Sequence, residues 1–308
     1  MKESKPSLLQ MTRAPFLSSI IAPLLTGTLL CIKINGSVNV SGFVLALISG
    51  ITLHAATNVY NDIYDTIQGT DKVNEHRNEF SGGSGVLQDS PELMNQMYFI
   101  ARTALIIAFF STAALMFFID KKLWIYLWSL FVISAFFSKY YTAAPVKLAY
   151  RGLGEISVWF SFGPMAVTMA SVAQNTGVNT EILLLMPLSG LSTLSILLVG
   201  QMIDIDADRK SGKHGIISRT GTRFSSLLYA AVQSAVILNV LSIYYFFGHS
   251  SFPVLLSLIP YVILLPGTII SIVKNHDNVE KLKQVAKKTV LMHMLFSLFL
   301  IIGLIIYL

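Results

Sequence analysis

Residues 180–210 read TEILLLMPLSGLSTLSILLVGQMIDIDADRK, an apolar run that ends against Asp204, Asp206, Asp208, Arg209 and Lys210. The part from 180 to 203 carries a single charge, Glu181, at its start. It has the length that a helix needs to cross roughly 30 Å of hydrocarbon, about 20 residues. Working outward in both directions, eight more such runs appear, at 16–34, 40–62, 92–119, 122–140, 152–173, 224–247, 251–273 and 288–308. The whole chain of 308 residues is 54% apolar and only 12% charged, too little polar surface to solvate a globular domain of that size. The expected fold is therefore all-α and integral to the membrane. It is a bundle of nine transmembrane helices around a central cavity, forming a single domain over residues 1–308, with Gly42, Gly50 and Gly190 allowing helices to approach closely. The first run is too long for a cleaved signal peptide and reads as a span.

Lys and Arg in short loops stay on the cytoplasmic side. Eighteen of the 22 basic residues fall in the N-terminal segment (Lys2, Lys5, Arg13) and the even-to-odd loops, three (Lys33, Lys121, Lys122) fall on the other side, and Arg102 lies inside a run. The N-terminus is thus expected in the cytoplasm and the C-terminus outside. A pI near 9.3 follows from this topology and from attraction to anionic membrane lipid. Nucleic-acid partners are excluded by the absence of any binding module for them. The single Cys31 rules out an internal disulfide and a cysteine metal site.

The carboxylates are concentrated at two helix ends on one membrane side. In Asn58-Val-Tyr-Asn61-Asp62-Ile-Tyr-Asp65, followed by Gly69-Thr-Asp71, residues 58, 61, 62 and 65 fall on one helical stripe. In the second cluster Gln201, Asp204 and Asp208 share a stripe and Asp206 points away. Ionised groups at this depth cost about 2.5–3.5 kcal/mol each, so a cation should neutralise them. Hard oxygen donors without His or Cys suit Mg2+, whose remaining positions are filled by water and phosphate oxygens. Either cluster alone is equally well read as a solvated helix end. Together, with Lys147, Arg209 and Lys213 nearby in topology, they favour a metal-diphosphate site. The rival from another class is a cation-coupled membrane transporter, which would place its acids near the bilayer midplane on broken helices.

These motifs resemble, in order, those of the UbiA superfamily of intramembrane prenyltransferases. Thr12-Arg-Ala-Pro-Phe-Leu resembles its opening helix, Asn61-Asp-Ile-Tyr-Asp65 with Gly69-Thr-Asp71 its first aspartate motif, and Asp204-Ile-Asp-Ala-Asp208-Arg-Lys-Ser-Gly-Lys213 its second. Within the superfamily the chain is most similar to the 1,4-dihydroxy-2-naphthoate prenyltransferases of menaquinone biosynthesis. The residues that carry this are Gly69-Thr-Asp71, Phe80-Ser-Gly-Gly-Ser-Gly-Val86, and Ala144-Pro-Val-Lys-Leu-Ala-Tyr-Arg-Gly-Leu-Gly-Glu155. The resemblance implies Mg2+-dependent transfer of a polyprenyl group from its diphosphate to an aromatic acceptor, a naphthoate first and another phenolic or lipid acceptor next. It implies catalytic roles for Asp62, Asp65, Asp204, Asp208, Lys147 and Tyr141, metal ligation by Asn61, Asp62, Asp65, Asp71, Asp204 and Asp208, and diphosphate contacts from Asn61, Lys147, Arg209 and Lys213. The expected location is a bacterial plasma membrane, with the active site facing the cytoplasm.

Other polar residues have structural readings. His54 inside the second run is expected to pack between helices, His76 and His214 to lie in loops, and Glu155 to pair with Arg151 one turn earlier. The loop from Phe80 to Val86, with Gly82, Gly83 and Gly85, reads equally as a cover for the site or as a connector needing positive φ.

Overall fold

In lipid every backbone N–H and C=O must be satisfied within the chain, so long apolar runs become helices. The computed structural model describes residues 6–78 and 81–308; Lys2, Lys5 and Phe80 lie outside them. Among the described residues there are nine helices long and apolar enough to span a membrane, and no strand. They run Ala14–Asn35, Val40–Gln68, Pro91–Phe118, Lys121–Tyr140, Gly154–Ala173, Thr180–Ile203, Ile216–Phe247, His249–Lys274 and Val279–Tyr307, and are called the first to ninth spans.

Their ends differ from the sequence reading where polar residues continue a helix beyond its apolar part. The second span runs on to Gln68, so Asp62 and Asp65 sit on the same helix as the apolar run. It stops there because Gly69 takes the left-handed conformation (φ 80°), which its missing Cβ allows. The ninth span begins at Val279, capped by the Asn278 side chain on Lys281 N–H, and carries Lys281, Lys283, Lys287 and Lys288 on its first turns. The seventh begins at Ile216 and is kinked at Gly221 (φ 82°).

The helices close into a ring. The second packs on the first, third and fourth, the fifth on the first, fourth and sixth, the sixth on the seventh and ninth, and the ninth returns to the first and eighth. The fifth and sixth touch backbone to backbone, since a Cβ on Gly190 would run into the Trp159 carbonyl and into Gly163. Spans six to nine are bound to one another by a continuous apolar core around Leu188, Val236, Val240, Tyr261 and Phe296. The cavity lies off that core, between spans one, two, four, five and six. Spans seven to nine lie outside its wall and pack their apolar side chains on one another and on the sixth span instead.

Glu155 does not pair with Arg151, whose guanidinium turns to the Pro145 carbonyl (2.9 Å). Its carboxylate is buried, 3% exposed, and accepts the Ile216 N–H at 2.9 Å, capping the seventh span from outside its own helix. Glu155→Ala should cost about 1–2 kcal/mol, seen as an earlier thermal unfolding midpoint in detergent. An unchanged midpoint would contradict the cap.

Candidate active site

The second span is two-sided. Ala56, Val59, Tyr60 and Ile63 pack against Met97 and Ala101 of the third span, which turns Asn58, Asn61 and Asp65 toward the cavity. The sixth span ends at Ile203, and a short helix, Ile205–Lys210, begins after Asp204. The Asp208 N–H still bonds the Asp204 carbonyl (2.9 Å), so the two carboxylates keep to one side across the break. Asp208 is buried and Asp206 exposed, as the helical stripe requires.

The two acidic segments meet at one end of a cavity of about 290 Å³. Asn61, Asp65, Asp71, Asp204, Asp208 and Lys213 line that end. Lys213 joins them, its Nζ 3.3 Å from Asp65 Oδ2 and 3.8 Å from Asp208 Oδ1. Burial works against its charge, yet Asp65 and Asp208 together hold its pKa well above the usual lysine range. Tyr150, which the sequence reading passed over, donates its hydroxyl to Asp65 Oδ1 at 2.8 Å and meets the Thr70 hydroxyl at 2.7 Å. Toward the interior the wall becomes apolar and aromatic, with Leu24, Leu53, Phe131, Phe137, Phe162 and Met165.

The glycine loop covers the acids. Gly82, Gly83 and Gly85 all have positive φ, and a Cβ on Gly83 would stand 3.2 Å from Asp62 Oδ1 and 3.3 Å from Asp71 Oδ1. The Ser84 N–H reaches Asp62 Oδ1 at 3.2 Å. On the other motif, Asp204 accepts from Asn74 Nδ2 (2.9 Å), from the Ser81 hydroxyl and from the Gly82 N–H. Asn74, Ser81, Gly82 and Ser84 thus staple the two motifs together. Asn74 and Ser81 carried no periodicity that would have singled them out.

Not every expected residue reaches the cavity. Lys147 stands in the left-handed conformation (φ 50°) with its Nζ 5.2 Å above the Tyr150 ring, behind the wall. Arg209 projects outward from the short helix, where its Nε donates to the Ser218 carbonyl at 3.0 Å. Neither lines the site, whereas Tyr141 does. Asp62, 2% exposed, lies behind the glycine loop rather than on the wall. His54, assigned to helix packing, is in contact with Phe162 (4.8 Å between ring centres) and also lines the cavity.

The donor set bears on a metal. Among the described residues no three carboxylates or histidines stand close enough together to cage an ion directly. Magnesium rarely needs such a cage, since it keeps several waters and takes one or two carboxylates plus phosphate oxygens. Asp62 Oδ2, Asn61 Oδ1 and Gln201 Oε1 are buried without any hydrogen-bond partner, an arrangement that costs energy unless a donor or cation arrives. These oxygen donors, with no sulfur or imidazole beside them, fit a hard divalent cation.

Burial and the neighbouring Asp65 and Asp62 push the Asp71 carboxyl up to about 7. Burial, only partly offset by Lys213, brings Asp208 to about 7 as well, and Asp204 is raised for the same first reason. A metal needs these groups ionised, so protons compete with it increasingly as pH falls through 7. The half-saturating Mg2+ concentration should rise about tenfold per pH unit below 7 for each proton displaced, and flatten above 8. A requirement independent of pH from 6 to 8 would contradict this.

Residues 20–294 match the UbiA prenyltransferase family. The chain belongs to that family. Among its relatives, the 2-carboxy-1,4-naphthoquinone phytyltransferase of Synechocystis sp. is 24% identical over 232 residues, 75% of this chain and 72% of that one. The 1,4-dihydroxy-2-naphthoate octaprenyltransferase of Bacillus subtilis is 25% identical over 233 residues, 75% of this chain and 71% of the other. A UbiA homolog from Archaeoglobus fulgidus, solved bound to DMAPP and Mg2+, superposes with a TM-score of 0.60 at 14% identity, covering 96% of this chain and 99% of that one. The UbiA fold and the integral membrane character of the chain are thereby established, and it is a prenyltransferase by family.

Proposed function

We propose that this UbiA prenyltransferase uses magnesium to transfer a polyprenyl group from its diphosphate to 1,4-dihydroxy-2-naphthoate or a related naphthoate, at a site opening to the cytoplasm of a bacterial plasma membrane. The observation that carries the reading is the meeting of both acidic motifs, bridged by Lys213, above an apolar chamber. Asn61, Asp62 and Asp65 on one side, and Asp204 and Asp208 on the other, would hold the metal and its diphosphate, with Asp71 beside them. The metal would act as a Lewis acid that stabilises the departing diphosphate. Lys213 adds a positive charge at the same end, and Tyr141 offers a hydroxyl that burial keeps protonated, its pKa raised. The Leu, Phe and Met walls exclude water from the allylic carbon and give the prenyl tail an apolar path. The cytoplasmic orientation is supported by the eighteen-to-three bias in basic residues.

The test is prenyl transfer by the purified protein in lipid, with labelled geranylgeranyl or farnesyl diphosphate and a panel of acceptors that includes dihydroxynaphthoate. Magnesium-dependent product on a naphthoate is the expected result. Product on other phenols or lipids alone would reject the acceptor, and no transfer from folded protein would reject the enzyme.

A further inference from the structure

The segment before the first span folds back over the cavity mouth. Met11, 3% exposed, anchors it among Ala56, Val59 and Tyr60 of the second span. The next residue is fixed by a polar contact, the Asn58 side-chain N–H donating to the Thr12 carbonyl at 3.0 Å. Arg13 follows in the left-handed conformation (φ 53°), uncommon for a residue with a Cβ, and this turn aims its side chain into the cavity. The guanidinium lies 5.0 Å over the Phe16 ring, and its side chain is 18% exposed.

Arg13 and Lys213 are the Lys or Arg side chains on the cavity wall among the described residues, and they are engaged very differently. Lys213 is shared between two carboxylates. Arg13 forms an ion pair with Asp62, its guanidinium 3.9 Å from Oδ1, and among the described residues that guanidinium donates no hydrogen bond. A guanidinium has five N–H donors in a planar fork matched to a carboxylate, and stacking on an aromatic ring fixes the plane of that fork. Asn58, Phe16 and His54 line the cavity with it, and Phe16 and Phe162 supply faces for an aromatic ring.

Resting on the naphthoate reading above, we infer that Arg13 is the specificity residue for the acceptor, gripping the carboxylate of an aryl carboxylic acid whose ring lies between aromatic side chains. Asn58 is its positioning residue: it holds the Thr12 carbonyl, and with it the turn that presents Arg13. On this account Asn58 serves as a strut for the recognition segment, whereas its place on the acidic stripe suggested a share in the oxygen wall.

The source of the anion, acceptor carboxylate or donor diphosphate, is separated by measuring both Michaelis constants. Arg13→Ala should raise KM for the naphthoate about 10- to 100-fold, the worth of a charge-assisted pair, with donor KM shifted less than about threefold. Arg13→Lys keeps the charge without the fork and should fall between. Asn58→Leu should move acceptor KM in the same direction by a smaller factor, with kcat less affected. A measurement on the unaltered protein does not depend on any variant folding: 2-naphthoate should inhibit transfer competitively against the acceptor at least about tenfold better than 2-naphthamide. Equal inhibition by the two, or a rise confined to donor KM, would overturn the inference. Failure of the unaltered protein to prenylate any naphthoate would instead reject the proposed function itself.

Discussion

Asp65→Ala and Asp208→Ala should each lower prenyl transfer about 10²- to 10³-fold, with the loss in kcat rather than in acceptor KM. The size follows from removing one preorganised charge where negative charge leaves the substrate, an effect of about 3–4 kcal/mol on the barrier. The two residues lie 143 positions apart in sequence, yet the same ammonium is ion-paired with both, at 3.3 and 3.8 Å. They should therefore behave as one unit, and the double variant should be far less impaired than the product of the single losses. Asp65→Asn sharpens the test, because it keeps the size of the side chain and an acceptor for the Tyr150 hydroxyl while removing the charge. Turnover within about threefold of the unaltered protein for Asp65→Asn would show that Asp65 acts through packing, against the present account.

Lys213→Met should destabilise the metal-free protein by about 3 kcal/mol and be rescued by magnesium. Its partners are buried, with side chains 7% and 6% exposed and the lysine itself at 14%, so solvent screens the pairs little. Removing the ammonium leaves Asp65, Asp208, Asp71 and Asp204 facing one another without their shared cation. A divalent ion that binds the same carboxylates should then stabilise the variant more than the unaltered chain, by linkage. The check is thermal unfolding of both proteins in detergent, in chelator and in magnesium. An equal magnesium shift for the two proteins would mean that the ion binds elsewhere.

Much of this was legible from the chain because membrane helices leave strong signatures. The sixth span appeared at 180–203, and the structure has it at Thr180–Ile203. The alternation of apolar and acidic residues at helical spacing indicated which of Gln201, Asp204, Asp206 and Asp208 would face inward. Legibility failed where polar residues extended a helix, as in the turns before Val285 and after Asp62, since hydropathy falls there although the backbone stays helical. It failed again where a side chain's role depends on an irregular turn. Lys147 and Arg209 have the right chemistry for a diphosphate and lie close to the motifs in sequence, but a left-handed residue and the outward face of a short helix carry them off the wall. Arg13, read as a topogenic charge and as part of the opening-helix resemblance but given no place in the site, reaches the cavity by the same kind of turn. Asn74, Ser81 and Tyr150 are long-range partners of the acids; Ser81 and Tyr150 fall within the stretches that carry the family resemblance, but helical periodicity marks none of the three as a partner.

The central claim is that both acidic motifs build one metal-diphosphate site. It is tested most directly by spin-counting electron paramagnetic resonance of Mn2+, standing in for Mg2+, bound with an uncleavable allylic thiolodiphosphate to the unaltered protein, Asp65→Ala and Asp208→Ala. The account predicts analogue-dependent Mn2+ binding in the unaltered protein and its loss in both variants. Full binding retained by either variant would contradict a shared site.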